Sequence, residues 1–234
     1  MKRTYFFFLV CMSFGIQAQE ITAEELLNKS IAYHDPEGNW KSFEGAFKVL
    51  METPTRPDRL TTIELDFPNQ YFKSTVAQDG VTTASEWKQG DCIHWYEGET
   101  SFSKEIEEKH RLNCTRTTKM RNYYVYLYGL PMKLKDKGTI LDSKVYERKL
   151  KGVSFWCIKA TYEQAVGQDT WYFYFDKKTA QLRHYQFYHD ESKNDGEYIL
   201  LSEEAIVNGI KMPKKRAWYT NQENRYLGTD ILVN

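Results

Sequence analysis

The sequence predicts a mainly β, α+β fold: one antiparallel β-barrel, closed or nearly closed, with a helix at its start and a helical insertion near its middle. Three observations carry that prediction. Apolar residues alternate with period two through most of the chain, Asp-Gly, Lys-Gly and Asn-Gly pairs punctuate the alternation, and only two stretches switch to helical spacing. The alternating segments number roughly eleven or twelve, and rolling that many strands into a barrel leaves few edges to protect.

The chain of 234 residues opens with Lys2 and Arg3, an apolar run from Tyr5 to Cys11, and a small residue at Ala18. This is the plan of a signal peptide over residues 1–18, and the run is too short to span a bilayer as a helix. Residues 19–234 are then expected to be one exported domain with no transmembrane span, in the periplasm or associated with the outer membrane. A lipid anchor at Cys11 fits less well, because Val10 stands where a small residue is needed. Lys+Arg and Asp+Glu are 32 each and interspersed, which excludes the basic stripe of a nucleic-acid binder.

The domain starts with "ITAEELLNKSIAYHDPEGNW". Thr22 and Glu25 have capping-box spacing, Leu26, Leu27 and Ile31 form an apolar stripe, and Pro36 with Gly38 stops the helix. From Phe43 the period becomes two: Phe43, Gly45, Phe47, Val49 and Met51 share one face, and Thr61, Ile63, Leu65 and Phe67 alternate in the next strand. Three further short strands follow around Asp79-Gly80 and Gly90-Asp91, giving a meander. Residues 103–128 then read as helix in two pieces, ended by Gly129, Leu130 and Pro131. Its last turns crowd Tyr123, Tyr124, Tyr126 and Tyr128, too many aromatics for one core-facing stripe. Strands resume at about Ser143 and run to the C-terminus.

Export makes cysteine pairing meaningful. Cys92 and Cys114 flank the charged segment "EGETSFSKEIEEKHRLN", which has little apolar surface to hold it down, so they are the expected disulfide. Closing a loop of about 20 residues contributes on the order of 3 kcal/mol. Cys157, in "VSFWCIKATY", reads as a buried thiol; three free buried thiols are the alternative.

Catalytic signatures such as G-x-S-x-G, H-E-x-x-H, C-x-x-C and a phosphate-binding glycine loop are absent from the sequence. The densest polar group is His189, Asp190, Glu191, Asp195 and Glu197. His184 and His189 are five apart and project to opposite faces of a strand, and Lys193 stands where a calcium loop needs an oxygen ligand. The group reads as a solvated hairpin tip, so no catalytic residue, metal or cofactor is expected. His94 reads as a half-buried strand histidine satisfied by a neighbour, and His34, Asp35 and Glu37 as a helix stop.

The outlier is aromatic content, 15% with 17 tyrosines. In "TWYFYF" Trp171, Phe173 and Phe175 alternate with Tyr172 and Tyr174, which puts aromatics on both faces of one strand. One row is expected to line the barrel interior and the other to meet water or a partner. Trp87, Trp95, Tyr124, Trp156, Trp171 and Phe173 are the expected wall of a ligand cavity.

The segment "TWYFYFDKKTAQLRHYQFYHDESKNDGEYILLSEEAIVNGIKMPKKRAWY" resembles the strand pattern of the LolA/LolB-type lipoprotein-carrier superfamily. The shared features are an aromatic strand ending in Asp, a D-x-x-T turn, an Asp-Gly hairpin and an Asn-Gly-Ile-x-x-Pro turn. Over its full length, through "SIAYHDPEGNW", "HRLNCTR", "YYVYLYGLPMKLKD" and "YHDESKNDGEYIL", the chain is similar to an uncharacterised exported family of Bacteroidota. The resemblance implies an unclosed barrel of roughly eleven strands, with helices as a lid over a cavity that in the carriers accepts lipoprotein acyl chains. It implies that this chain is expected to be a non-enzymatic binder or carrier of an acyl chain, lipid or lipoprotein, with a transient envelope protein as a further partner. Two alternatives stand beside it: an interaction module that binds protein or glycan through exposed aromatics, and a hydrolase built on His189, Asp190 and Glu191 at a cavity rim.

Overall fold

A computed structural model describes residues 21–233. Residues 1–18, where a leader is expected, and with them Cys11, lie outside the described residues. Helix α1 (Ala23–His34) begins at the expected capping box: the Thr22 hydroxyl accepts from the Glu25 amide, and the Glu25 carboxylate accepts from the Thr22 amide. Strands β1 (Glu44–Thr53), β2 (Arg56–Asp66), β3 (Tyr71–Gln78), β4 (Val81–Lys88) and β5 (Asp91–Tyr96) form the first meander. Helices α2 (Lys104–His110) and α3 (Cys114–Tyr128) follow as two pieces. The second meander is β6 (Thr139–Leu150), β7 (Val153–Tyr162), β8 (Thr170–Phe175), β9 (Leu182–Tyr188), β10 (Glu197–Val207), β11 (Ile210–Thr220) and β12 (Tyr226–Val233).

All twelve strands belong to one antiparallel sheet of order β5-β4-β3-β2-β1-β12-β11-β10-β9-β8-β7-β6. The first strand pairs with the last, Lys48 opposite Val233 and Met51 opposite Asp230, and this joins the two meanders. The barrel is therefore unclosed: β5 and β6 are its two edges, and the helical insertion is the segment of chain that links them. A pattern of alternation alone leaves closed and unclosed barrels equivalent, and the position of the insertion at the seam is what separates them.

The inward rows pack with α1 and α3 into one core that includes Leu26, Leu27, Phe47, Val49, Ile63, Phe72, Tyr124, Leu127, Phe173 and Ile199. Burial of such side chains is worth about 1.5–3 kcal/mol each. Among the connections, Gly196 is required by its backbone: φ is +81°, and a Cβ there would meet the Phe187 carbonyl oxygen at 2.2 Å. In the turn between β8 and β9, Asp176 accepts from the amides of Lys178 and Thr179, both at 2.9 Å. Those donors hold its carboxyl below the usual range.

The outward row of β8 departs from expectation. Tyr172 and Tyr174 are 2% and 4% exposed, packed with Phe155 and Cys157 in a second, smaller core on the convex face. The β6–β7 hairpin bends back over that face. Arg148 lies 3.9 Å from the centre of the Tyr172 ring, and Lys151 at the hairpin tip reaches the Tyr219 ring at 5.2 Å. The chain itself thus covers aromatics that alternation assigned to water or a partner.

Candidate functional site

Helix α3 crosses the hollow of the sheet and sends one stripe of side chains, at helical spacing, to successive strands. Cys114 is disulfide-bonded to Cys92 of β5, the Thr117 hydroxyl meets Nε2 of His94 on β5 at 2.9 Å, and Arg121 lies 4.1 Å from the centre of the Trp87 ring on β4. Further along, Tyr124 stacks with Phe72 of β3 at 6.5 Å and Tyr128 with Phe47 of β1 at 4.8 Å. The stripe is mixed in chemistry, so hydrophobic periodicity does not reveal it.

Two grooves open beside the C-terminal half of α3. The first, about 510 Å³, runs between α3 and the β6–β8 edge, with Val125, Tyr126, Tyr162, Val166 and Trp171 as its apolar wall. Arg121, Lys133, Lys137, Asp136 and Asp169 supply its charge. The second, about 700 Å³, lies between α1 and the same end of α3 and is lined by Ile31, Trp40, Phe67 and Met132 among others. Val125, Lys133 and Asp136 line both, so the Lys133–Asp136 ion pair stands between them. Apolar walls with a few placed charges suit an amphiphile. Tyr126 and Tyr162 share a hydrogen bond at the first groove; burial pushes Tyr126 well above the usual phenol range and Tyr162 up to about 12.

Five of the six residues expected to form a ligand wall face the hollow. Trp171 lines the first groove and stacks on Phe173 at 5.9 Å; Phe173 is fully buried behind it. Tyr124 comes down from α3, and Trp87 packs beneath Arg121. Trp156 sits at the far end of the same face, opposite Phe175 and under Lys177 at 4.3 Å. Trp95 does not join them. Its cross-strand neighbours are Ala84 and then Thr75, the row opposite to that of Phe72, Trp87 and Cys92, and Lys73 covers its ring at 4.9 Å on the convex face. Strand alternation separates Trp95 from Cys92, and the disulfide to α3 fixes Cys92 as inward.

The polar hairpin does not gather into a site. His189 pairs with Asp169 at 2.7 Å, which raises its pKa; Asp190 caps a turn and meets Lys193 at 2.9 Å; Glu191 pairs with Lys159 at 3.1 Å. The three side chains serve three separate partners. Among the described residues no three His, Cys, Asp or Glu side chains form a metal-binding group.

Sequence reasoning missed the most unusual residues of the hollow, Arg216, Asp230, Tyr128 and Tyr185. Arg216 and Asp230 are 1% and 4% exposed. Arg216 stands two residues before Trp218 on β11, and Asp230 two before Leu232 on β12, so alternation placed both on an inward row.

The sequence matches the model of DUF6503, a family of unknown function, over residues 2–234. The chain belongs to this family. No curated protein matches it. Among solved structures it is similar to a LolA superfamily protein of Nitrosomonas europaea, with a TM-score of 0.52, 11% identity and 92% of each chain covered. A DUF1329 family protein of Desulfovibrio piger gives 0.50 at 13% identity, covering 90% of this chain and 91% of the other. A putative outer membrane lipoprotein-sorting protein domain of Vibrio parahaemolyticus gives 0.49 at 9% identity, covering 90% and 89%. The first of these places the chain in the LolA-like fold, here an open barrel with helices in its hollow.

Proposed function

We propose that this chain is a non-enzymatic binder or carrier of a hydrophobic ligand, an acyl chain, lipid or lipoprotein, in the cell envelope. The observation that supports it best is α3 itself: a helix of mixed chemistry fills the hollow of an unclosed sheet, and two apolar-walled grooves open along its C-terminal half. The LolA-like fold and the leader-like sequence of residues 1–18 point the same way, toward a domain over residues 19–234 exported to the periplasm.

In this reading the ligand enters at the groove beside Trp171. The inward row of Trp171 and Phe173, with Tyr124, Trp87 and Trp156, forms the wall once α3 gives way. Burial of ligand surface supplies about 25 cal/mol per Å² before the cost of moving the helix. Native mass spectrometry of protein taken from the periplasm of expressing cells, followed by lipid extraction, tests it. A co-purifying amphiphile is expected, with at least fivefold less retained by Trp171→Ala. Protein that is always ligand-free, and that does not bind a fluorescent fatty acid, would sink the proposal.

A further inference from the structure

The floor of the hollow, beneath the end of α3, is polar. Arg216 of β11 stands directly across from Asp230 of β12, and the same cross-strand row continues through Met51 of β1 to Arg59 of β2. The Nη1 group of Arg216 donates to the Pro213 carbonyl at 2.9 Å, and its guanidinium lies 3.9 Å from the centre of the Tyr128 ring. Among the described residues Arg216 has no ion pair within 4.0 Å. Asp230 instead accepts from the Trp218 indole at 3.1 Å.

Unpaired polar atoms gather in this region. The Nε of Arg216, the Nε of Arg59, the hydroxyl of Thr61 and the hydroxyls of Tyr128 and Tyr185 are buried with no hydrogen-bond partner of good geometry in the protein. The Tyr185 hydroxyl accepts a loose hydrogen bond from Arg216 and the Thr61 hydroxyl shares one with Tyr124, which leaves the two Nε groups and the Tyr128 hydroxyl with no partner among the described residues. Leaving one such group unpaired costs about 1–3 kcal/mol, so the Nε groups of Arg216 and Arg59 with the Tyr128 hydroxyl call for a partner outside the chain. The balance of the cluster says what kind. Two guanidinium groups and several hydroxyls surround a single carboxylate, which makes the floor rich in donors and positive in charge. Phe47, Val49, Leu127 and Leu201 surround it with apolar surface.

We propose that this floor is a headgroup subsite for an anionic single-chain amphiphile. The carboxylate or phosphate of the ligand takes the Nε edge of Arg216 when Tyr128 lifts away with the C-terminal half of α3, and the alkyl chain lies along the aromatic row toward Trp171. A planar guanidinium edge binds an oxyanion through charge-assisted hydrogen bonds, a geometry that a neutral alcohol does not match. The inference rests on the carrier reading and narrows its cargo from any apolar molecule to one with an acidic head.

Isothermal titration of the full exported domain with laurate, dodecyl phosphate and dodecanol tests it, since the three share a chain and differ in the head. Laurate, dodecyl phosphate or both are expected to bind at least tenfold more tightly than dodecanol, and Arg216→Gln to abolish the ratio. Asp230→Asn, which is isosteric and leaves Arg216 in place, is expected to increase the preference for the anion; it serves should the arginine variant fail to fold. Equal affinity for all three ligands in the unmodified protein, or an unchanged ratio in a folded Arg216→Gln, overturns the headgroup subsite and leaves the carrier reading intact. Binding of none of them overturns the carrier reading and, with it, this inference.

Discussion

At the scale of single residues, two histidines tie local chemistry to stability. His34 is fully buried, with Nδ1 at 2.6 Å from the Lys211 carbonyl and Nε2 accepting the Leu182 amide at 3.0 Å, so it staples α1 to β9 and β11. Burial lowers its pKa. His184, edge-on to Phe155 at 4.8 Å on the convex face, is pushed down to about 4 by burial and by nearby Arg183 and Lys151. A base with a depressed folded pKa binds fewer protons folded than unfolded. Its contribution is complete above the unfolded value of about 6.5 and is lost as pH falls from there toward the folded value. Urea unfolding at pH 7 and pH 4.5 is therefore expected to show a loss of about 2 kcal/mol from His184, with a smaller pH dependence in His184→Gln. His189 works the opposite way, because Asp169 raises its pKa, but it is exposed and weak. A stability that is flat over this range would contradict the account.

The same scale shows what the sequence could and could not display. The partner of His94 was legible as a class, a neighbour that satisfies a half-buried histidine, and Thr117 is that neighbour. The grouping of Trp95 with Ile93, opposite Cys92, was also legible; which of the two rows faces inward was not, because alternation has no sign until something packs on one face. Arg216 and Asp230 were hidden for another reason. Alternation puts each on an inward row, but a charge there reads as a break in the pattern, and only the three-dimensional row across β11, β12, β1 and β2 brings the two together.

At the scale of elements, α3 is held unequally along its length. Its first residue is tied to β5 by the Cys92–Cys114 disulfide, whereas its last turn is held by contacts alone, Tyr128 on Phe47 and Arg216 and Gly129 against Trp40. The buried C-terminal end is thus secured by packing without a covalent tie, and it is the end that the proposed carrier function requires to give way. Replacing both Cys92 and Cys114 by Ser is expected to cost about 3 kcal/mol in urea unfolding and to speed amide exchange in the first turns of α3. Gly129→Ala acts at the other end: a Cβ there would meet the Trp40 ring at 2.3 Å and the Val125 carbonyl oxygen at 2.6 Å. The variant is expected to lose about 1–3 kcal/mol and to change the near-ultraviolet circular dichroism of Trp40. No change in either signal would show that the last turn is not packed as described. The two helical pieces and the Gly-Leu-Pro stop were readable from spacing, but the destination of each α3 side chain was not, since Cys, Thr, Arg and Tyr at helical intervals make no apolar stripe.

At the scale of the whole molecule, the open seam between β5 and β6 explains why the chain spends its helices where it does. A closed barrel of this size would need side chains or a ligand to fill it; here the chain between the two edge strands fills it. The aromatic excess divides accordingly. The row of Trp171 and Phe173 faces the hollow, and the row of Tyr172 and Tyr174 packs a second core under the β6–β7 hairpin. That hairpin bends back over the convex face through non-local contacts, which period-two alternation cannot encode.

The claim that joins these scales is that ligand and the C-terminal half of α3 compete for the same hollow. Hydrogen–deuterium exchange with and without saturating laurate measures it directly. The account predicts that the amides of residues 121–128 exchange faster in the complex while those of β1 and β12 stay protected. Saturated laurate binding with exchange in α3 unchanged would contradict it.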